Sequence, residues 1–468
     1  MNIWERCFKL HENGTTFRRE VYTGLVSFLA VSYILAVNPD ILAGAGMDRG
    51  GVFFATALAA FVGTLCMAFW ANCPLVLAPA MGLNAFFAYT VVNSMGYSWQ
   101  LALFAIAVEG VVFFLLSASS VREKVVNAIP MPLKYAMGTG IGLFITLIAF
   151  QNAHIIQSDP VTFLTVQDFF GPAFHTAGIS GLLALAGVLI TTWLLHRKVM
   201  GALLLGILGT WLLGILCQLV GVYQVSPETG FYSLLPQFKL QSFTEPFERF
   251  RQLFGSAFDA ARWNREGAGV SGWHLLFSVD FAIICLAFLF NDFFDTIGTV
   301  NGVFVNTPMM RKDGKIPQLK KILLADSAAT FAGAVLGTST TTTYAESAVG
   351  IGAGAKTGLS ALTAALLFLV SLICAPVFLA IPGFATAPAL ILVGFMMVKA
   401  VVHIEWDHIT EAIPAYILIA GMVFTYSISD GLGLGIIFYT LLNCRAKGRV
   451  SWLLWLLSLV FVMKYIWL

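Results

Sequence analysis

Predominantly apolar runs recur from one end of the chain to the other. Most are close to the ~20 residues that an α-helix needs to cross the hydrocarbon core of a bilayer. The runs fall near 21–43, 52–71, 75–95, 99–118, 133–152, 179–196 and 199–221. After a polar interval they resume near 273–304, 322–337, 340–355, 358–381, 385–402, 411–428, 431–444 and 452–468. Of the 468 residues 59% are hydrophobic and only 11% charged, with mean hydropathy +0.86. Ordinary soluble domains carry about 25% charge, so the expectation is an all-α polytopic membrane protein of about fourteen transmembrane helices.

Charge and cysteine usage exclude several classes. The net charge is +2 and no basic stripe lies outside the loops, so nucleic acid is not an expected partner. The seven cysteines are scattered without a CxxC or Cys/His spacing, and no metal or cofactor is expected. The first apolar run sits behind a polar, Arg-containing head and carries Asn38-Pro39-Asp40 in its later part, which reads as a retained span rather than a cleaved signal.

Basic residues orient the spans. Arg6, Lys9, Arg18 and Arg19 precede the first; Arg122, Lys124 and Lys134 follow the fourth; Arg197 and Lys198 follow the sixth; Arg311, Lys312, Lys315, Lys320 and Lys321 follow the eighth. Cytoplasmic loops carry the Lys and Arg excess, so a cytoplasmic N-terminus in the cell membrane satisfies every loop. The interval 222–272 then lies outside as a surface helix or cap.

Acids inside apolar runs narrow the function. Asp292 and Asp295 stand one turn apart in the run from Phe281 to Val305, and Glu346 lies in the polar stretch Thr338 to Gly354. Each charged residue at the bilayer centre costs roughly 2.5 to 3.5 kcal/mol on insertion scales, so all three must face protein or a watery cavity. Asp292, Asp295, Gly298, Thr299 and Gly302 are spaced to share one helical face. From Thr338 to Ser347 every residue but Ala345 carries a hydroxyl or a charge, so this stretch lines something polar and reads as unwound backbone between half-helices. Ala78-Pro79-Ala80-Met81-Gly82-Leu83-Asn84 breaks an entering chain at the proline and starts a helix, with Asn84 near its first turn as a donor and acceptor for the edge of a heterocycle or carboxamide, or as a cap of the broken helix. Phe86, Phe87, Phe293, Phe294 and Tyr344 read as packing before they read as a stacking surface. A polytopic enzyme using His154, His175, His403 or His408 is the competing class, but the cluster His403 to His408 fits a connector between spans.

The breaks come twice, at Asn38-Pro39-Asp40 with Ala78–Asn84 and again at Asn291–Asp295 with Thr338–Glu346. Seven spans per half is odd, so the second half would be inverted, as is common among secondary transporters.

These residues resemble the AzgA-like purine permeases of the nucleobase/ascorbate transporter (nucleobase:cation symporter-2) family. The resembling segments are His11 to Glu20, Tyr33 to Leu42, Ala78 to Tyr89, Asp292 to Gly302, Gly337 to Gly358, Ala385 to Leu390 and Glu405 to Pro414. The resemblance implies two inverted seven-helix repeats with broken helices 3 and 10. It divides the chain into a core domain (1–132 and 273–382, spans 1–4 and 8–11) and a gate domain (133–221 and 383–446, spans 5–7 and 12–14). The loop 222–272 and an apolar C-terminal segment 447–468 complete the chain. It further implies import of adenine, hypoxanthine or guanine with protons through an elevator-like alternating-access motion. The base would be held by Gly82, Asn84, Asp295 and Glu346, with Glu346, Asp295 and Asp292 as proton-coupling candidates, and the gate domains can pair into a homodimer by analogy. Ala80 stands where the family often has Gly, and Lys356-Thr357-Gly358 replaces an RTG-like sequence; neither removes a binding group. The same fold carrying uracil, ascorbate or an inorganic anion is the alternative, although three acids disfavour an anion.

Overall fold

The computed structural model describes residues 3–118, 130–159, 162–226, 231–236, 241–266, 272–304, 318–446 and 450–467. Arg122, Lys124, Arg311, Lys312 and Lys315 lie outside them, and so do the side chains of Phe294 and Ser429.

Helical passes follow the apolar runs. Spans 1 and 2 are Phe17–Ala43 and Arg49–Ala71; span 4 is Trp99–Ala118; spans 5, 6 and 7 are Met131–Asn152, Phe174–His196 and Ala202–Leu219. Span 8 is Val279–Phe304 and span 9 Leu319–Leu336. Spans 11 and 12 are Gly358–Leu379 and Gly383–His403. Spans 13 and 14 are the shorter Ile409–Phe424 and Ile428–Ala446, and a further helix, Trp452–Trp467, packs on spans 14 and 8. The apolar C-terminal segment thus forms a helix of its own, separate from spans 13 and 14.

Spans 3 and 10 are broken. Span 3 enters as strand β1 (Leu77–Pro79), turns helical at Met81–Ala85 and continues in wider π-type turns over Phe86–Ser94. Between spans 5 and 6 an exposed hairpin pairs β2 (Ile156–Asp159) with β3 (Phe163–Val166). Span 10 is strand β4 (Thr341–Thr343) followed by the helix Ser347–Gly352. Strands β1 and β4 pair antiparallel, Leu77 opposite Thr343 and Pro79 opposite Thr341, so the helices that follow leave on opposite sides of the pair. Pro79 has no N–H for a helix and ends the strand, while β-branched Thr341–Thr343 suit extended backbone. Inside a bilayer such backbone survives only when paired or buried, and all six strand residues are buried. Gly337 closes span 9 at φ 89, and a methyl group there would stand 2.7 Å from Leu253 Cβ. Glycine alone fits this turn into β4.

Two packing groups surround the broken pair. Span 9 packs on spans 2 and 4, and span 11 on spans 1 and 2; span 5 packs on spans 12 and 13, and span 12 on spans 6 and 7. Within the second group the backbones nearly touch. A methyl on Gly142 would meet the Gly394 carbonyl oxygen at 2.7 Å, and one on Gly140 would meet Met422 Sδ at 2.6 Å. Gly138, of the same stripe, has open space around it. Gly140 and Gly142 therefore let span 5 pack closely on spans 13 and 12.

The segment His11 to Glu20 has a structural purpose. Buried Glu20 accepts from the Thr15 hydroxyl (2.8 Å), the Lys356 and Thr357 N–H groups (3.0 and 3.2 Å) and the Thr357 hydroxyl (2.9 Å). It satisfies the first turn of span 11 from span 1, where helix ends otherwise leave orphan donors. The long connector places the amphipathic helix Gln241–Leu253 against span 2, with Phe250 buried on Phe54 and Arg249 3.8 Å from Asp48.

Candidate functional site

The strand crossing sets the site. Ala80 N–H donates to the Thr340 carbonyl (2.9 Å), Tyr344 N–H to the Val76 carbonyl (3.0 Å) and the Tyr344 hydroxyl to the Pro79 carbonyl (2.5 Å), so the two broken spans are fastened on both sides of the pair. Glu346 follows this crossing by a turn. Although deep among protein atoms, it is only half-buried, and Tyr33 of span 1 donates its hydroxyl to Glu346 Oε1 at 2.7 Å. That length is in the charge-assisted range for O–H to carboxylate.

Asp295 of span 8 has an exposed side chain, is ringed by protein, and lies within electrostatic reach of Glu346. Gly82 is half-buried in the first helical turn of span 3 and faces the other packing group: a methyl there would stand 2.7 Å from Ile141 Cγ2 of span 5 and 3.9 Å from Met397 Cε of span 12. Asp295 and Glu346 are thus two electrostatically linked carboxyls that keep some exposure, with exposed Ala345 next to Glu346 in the chain.

Asn84 is fully buried and its amide is engaged by protein. Its Nδ2 donates to Asn38 Oδ1 at 2.6 Å and its Oδ1 accepts from the Ser339 hydroxyl; Asn38 in turn donates to Thr56 (2.7 Å) and Thr338 (2.9 Å). This chain of polar contacts ties spans 1, 2, 3 and 10 together. Satisfied networks of this kind fix a unique geometry in a low-dielectric interior.

Asp292 and Asp295 do not share a face in the way their spacing suggests. Three residues fall just short of a full helical turn, so the two side chains point in directions that differ by a sixth of a circle, and packing turns that difference into different surroundings. Asp292 is fully buried, its Oδ2 accepting from Thr330 of span 9 at 3.0 Å. Around it the sequence reading passed over two further acids, Glu109 of span 4 and Asp326 of span 9, which are 1% and 0% exposed. Asp326 accepts from the Thr296 hydroxyl (2.6 Å), the Thr342 hydroxyl (3.1 Å) and the Thr343 N–H (3.0 Å). Both acids sit inside apolar runs, so the insertion-cost argument that singled out Asp292 applied to them equally.

The aromatic candidates are packing residues where they are described. Phe86 meets Phe288 edge-on at 4.8 Å, and Phe293 meets Phe113 at 5.4 Å. His403 lies tilted against Tyr135, ring centroids 5.3 Å apart, and His408 stands 3.4 Å from exposed Glu405. Polar contacts also join the two packing groups. Asp40 takes Arg49 (2.5 Å) and accepts from the Thr386 hydroxyl of span 12 (3.0 Å), and Asn152 donates to the Tyr89 hydroxyl at 3.2 Å.

Comparison with known proteins places this architecture. The transmembrane domain of a cyanobacterial bicarbonate transporter, BicA, superposes with a TM-score of 0.57 over 88% of this chain and 97% of that one at 16% identity. The anion-transporter family member SLC26A9 gives 0.55 over 94% of this chain and 67% of that one at 11% identity. At such identities the likeness is one of fold, the inverted repeat of seven and seven spans. In sequence the chain is 38% identical to a guanine/hypoxanthine permease of Bacillus subtilis, PbuG, over 98% of this chain and 99% of that protein. It is 35% identical to an adenine permease of Escherichia coli, AdeP, over 99% and 96%, and 39% identical to a putative permease of Methanocaldococcus jannaschii over 100% and 99%. Residues 18–433 match the family model Xan_ur_permease, described as a permease family, and the chain belongs to that family.

Proposed function

We propose that this membrane protein is a proton-coupled importer of purine nucleobases that works by alternating access. Full-length similarity to guanine/hypoxanthine and adenine permeases supports the cargo class. The observation that carries the reading is the pair of electrostatically linked carboxyls that keep some exposure, Asp295 of span 8 and Glu346 of span 10; the reading puts them with Gly82 in one cleft between the two groups of spans. A neutral purine presents ring and exocyclic N–H groups along one edge. Glu346 and Asp295 accept from them, and charge-assisted hydrogen bonds in a site shielded from bulk water are the strong ones. Gly82, with no side chain, lets the base approach the start of the span 3 helix, while Asn84 serves from behind by holding spans 1, 3 and 10 in register.

Uptake in this reading moves the core (spans 1–4 and 8–11) against the gate (spans 5–7 and 12–14), so that the cleft opens to each side in turn. The tight glycine contacts between spans 5 and 12 support a gate that behaves as one body. The contacts of Asp40 and Tyr89 with span 12 and the end of span 5 serve as a latch that must open on the connector side. Protons reach the cleft acids with the base and leave them inside. An N-terminus in the cytoplasm follows from Arg18, Arg19, Arg197, Lys198, Lys320 and Lys321 lying at the ends of spans that would share that side. Gate domains paired across a twofold axis complete the proposed assembly.

The test is uptake of labelled adenine, hypoxanthine and guanine into vesicles carrying the protein, with and without an inward proton gradient. Gradient-driven accumulation of at least one base, abolished in Glu346→Gln, is the expected outcome. Accumulation undiminished in Glu346→Gln, or no purine uptake by folded and inserted protein, would overturn the assignment.

A further inference from the structure

Behind the cleft, the acids contributed by spans 4, 8 and 9 lack something. Neither carboxylate oxygen of Glu109 meets a donor, nor does Asp292 Oδ1, and both side chains are buried to within 1%. The Glu109 carboxyl faces that of Asp292, with Asp326 within electrostatic reach. The other titratable group near Glu109 is Cys285 of span 8, whose thiol lies 3.9 Å from the Ala105 carbonyl; no cation is among these neighbours. Asp326, by contrast, has hydrogen-bond partners in the Thr296 and Thr342 hydroxyls and the Thr343 N–H.

An unpaired buried carboxylate is costly, and two facing each other repel as well. One hydrogen between them removes both penalties, because the protonated acid donates and the other accepts. A metal ion is the other way to balance such oxygens, but no three acids, cysteines or histidines among the described residues are arranged to hold one.

We propose that Glu109 and Asp292 share a proton beside Asp326, forming a second proton-binding site inside the core that never touches the transported solute. Asp295, one turn along span 8 and electrostatically linked to Asp292, is the entry from the cleft. The proton passes from the Asp295 carboxyl to Asp292 and comes to rest between Asp292 and Glu109; only O–H bonds break and form. Next to Glu109 in the chain, span 4 lies tight on span 9: a methyl on Gly110 would stand 2.8 Å from the Phe331 backbone nitrogen.

The occupancy of this site is felt at β4. The Thr330 hydroxyl has one hydrogen and two acceptors in range, Asp292 Oδ2 at 3.0 Å and the Thr341 carbonyl at 3.1 Å. Proton loss from the pair draws that hydrogen toward Asp292 and away from β4, whose next turn carries Glu346. Its part in coupling rests on the uptake reading above, whereas the proton itself can be observed without transport.

The experiment has two readouts on the full chain. Infrared pH titration of substrate-free protein in lipid nanodiscs is expected to show a carboxylic C=O band that is lost in Glu109→Gln and restored, shifted, in Glu109→Asp. In proteoliposomes Glu109→Gln is expected to keep exchange of labelled base across the membrane while accumulation driven by a proton gradient falls to the level of empty liposomes. If Glu109→Gln does not fold, Glu109→Met, apolar and of similar length, replaces it in both assays. A band unchanged by the substitution, or one that responds to sodium ions rather than to pH, overturns the shared proton. Accumulation unchanged in a variant that has lost the band overturns its coupling. A wild-type protein that moves no purine would sink the uptake reading and leave the infrared result standing.

Discussion

Replacing Tyr33 by phenylalanine deletes one oxygen from a fully buried side chain and leaves its ring packing in place. The lost contact is the 2.7 Å hydrogen bond from the Tyr33 hydroxyl to Glu346 Oε1. Hydrogen bonds to charged groups contribute about 1.5 to 3 kcal/mol. Glu346 is only half-buried, so water can take over part of that bond, and the lower end applies. At about 1.4 kcal/mol per factor of ten, about 1.5 kcal/mol of lost orientation weakens solute binding roughly tenfold. The assay is the concentration dependence of initial uptake of the best-transported labelled base in Tyr33→Phe and parent vesicles matched for protein content. The apparent KM is expected to rise about tenfold with the maximal rate within a factor of about two, since the bond orients a binding group. An unchanged KM would refute the idea that span 1 positions Glu346 for the solute.

Two further substitutions test the latch and the brace. Thr386→Val removes the 3.0 Å hydrogen bond to Asp40 that joins span 12 to span 1. Such a bond contributes about 1 kcal/mol, or roughly fivefold in the closed-to-open ratio. Maleimide labelling of Ala345→Cys from the connector side should rise by about that factor, and an unchanged rate would show that the contact does not hold the cleft shut. Asn84→Ala strands Asn38 Oδ1 and the Ser339 hydroxyl. Two buried partners left unsatisfied cost about 2 to 4 kcal/mol, which should lower the thermal midpoint of purified protein together with uptake. A variant with the parental midpoint and an altered choice among purines would instead put the Asn84 amide at the solute.

Much of the architecture was readable because a bilayer enforces simple rules. The recurring span length, the break at Pro79 and the hydroxyl-rich stretch before Glu346 each follow from a local cost: desolvation, a missing N–H, polar groups at membrane depth. The same reasoning could have found Glu109 and Asp326, since an acid in an apolar run is conspicuous wherever it falls; they drew no notice because neither sits beside a helix break. Tyr33 carried no signal of its own, being an ordinary residue until a partner from the other half of the chain gives it a role, and the polar break at Asn38 did not say which residues it would meet.

The sequence by itself determined that this chain lives in a membrane, where its helices begin and break, and that Asp292, Asp295 and Glu346 cannot face lipid. Only the tertiary structure decided that Asp295 and Glu346 keep some exposure while Asp292, a single turn away, turns inward to Glu109 and Thr330. Periodicity sets a residue's direction about its own helix axis. Whether that direction meets water, a hydroxyl or another acid depends on which helices pack beside it, and those contacts join residues too far apart in the chain for any local rule to pair.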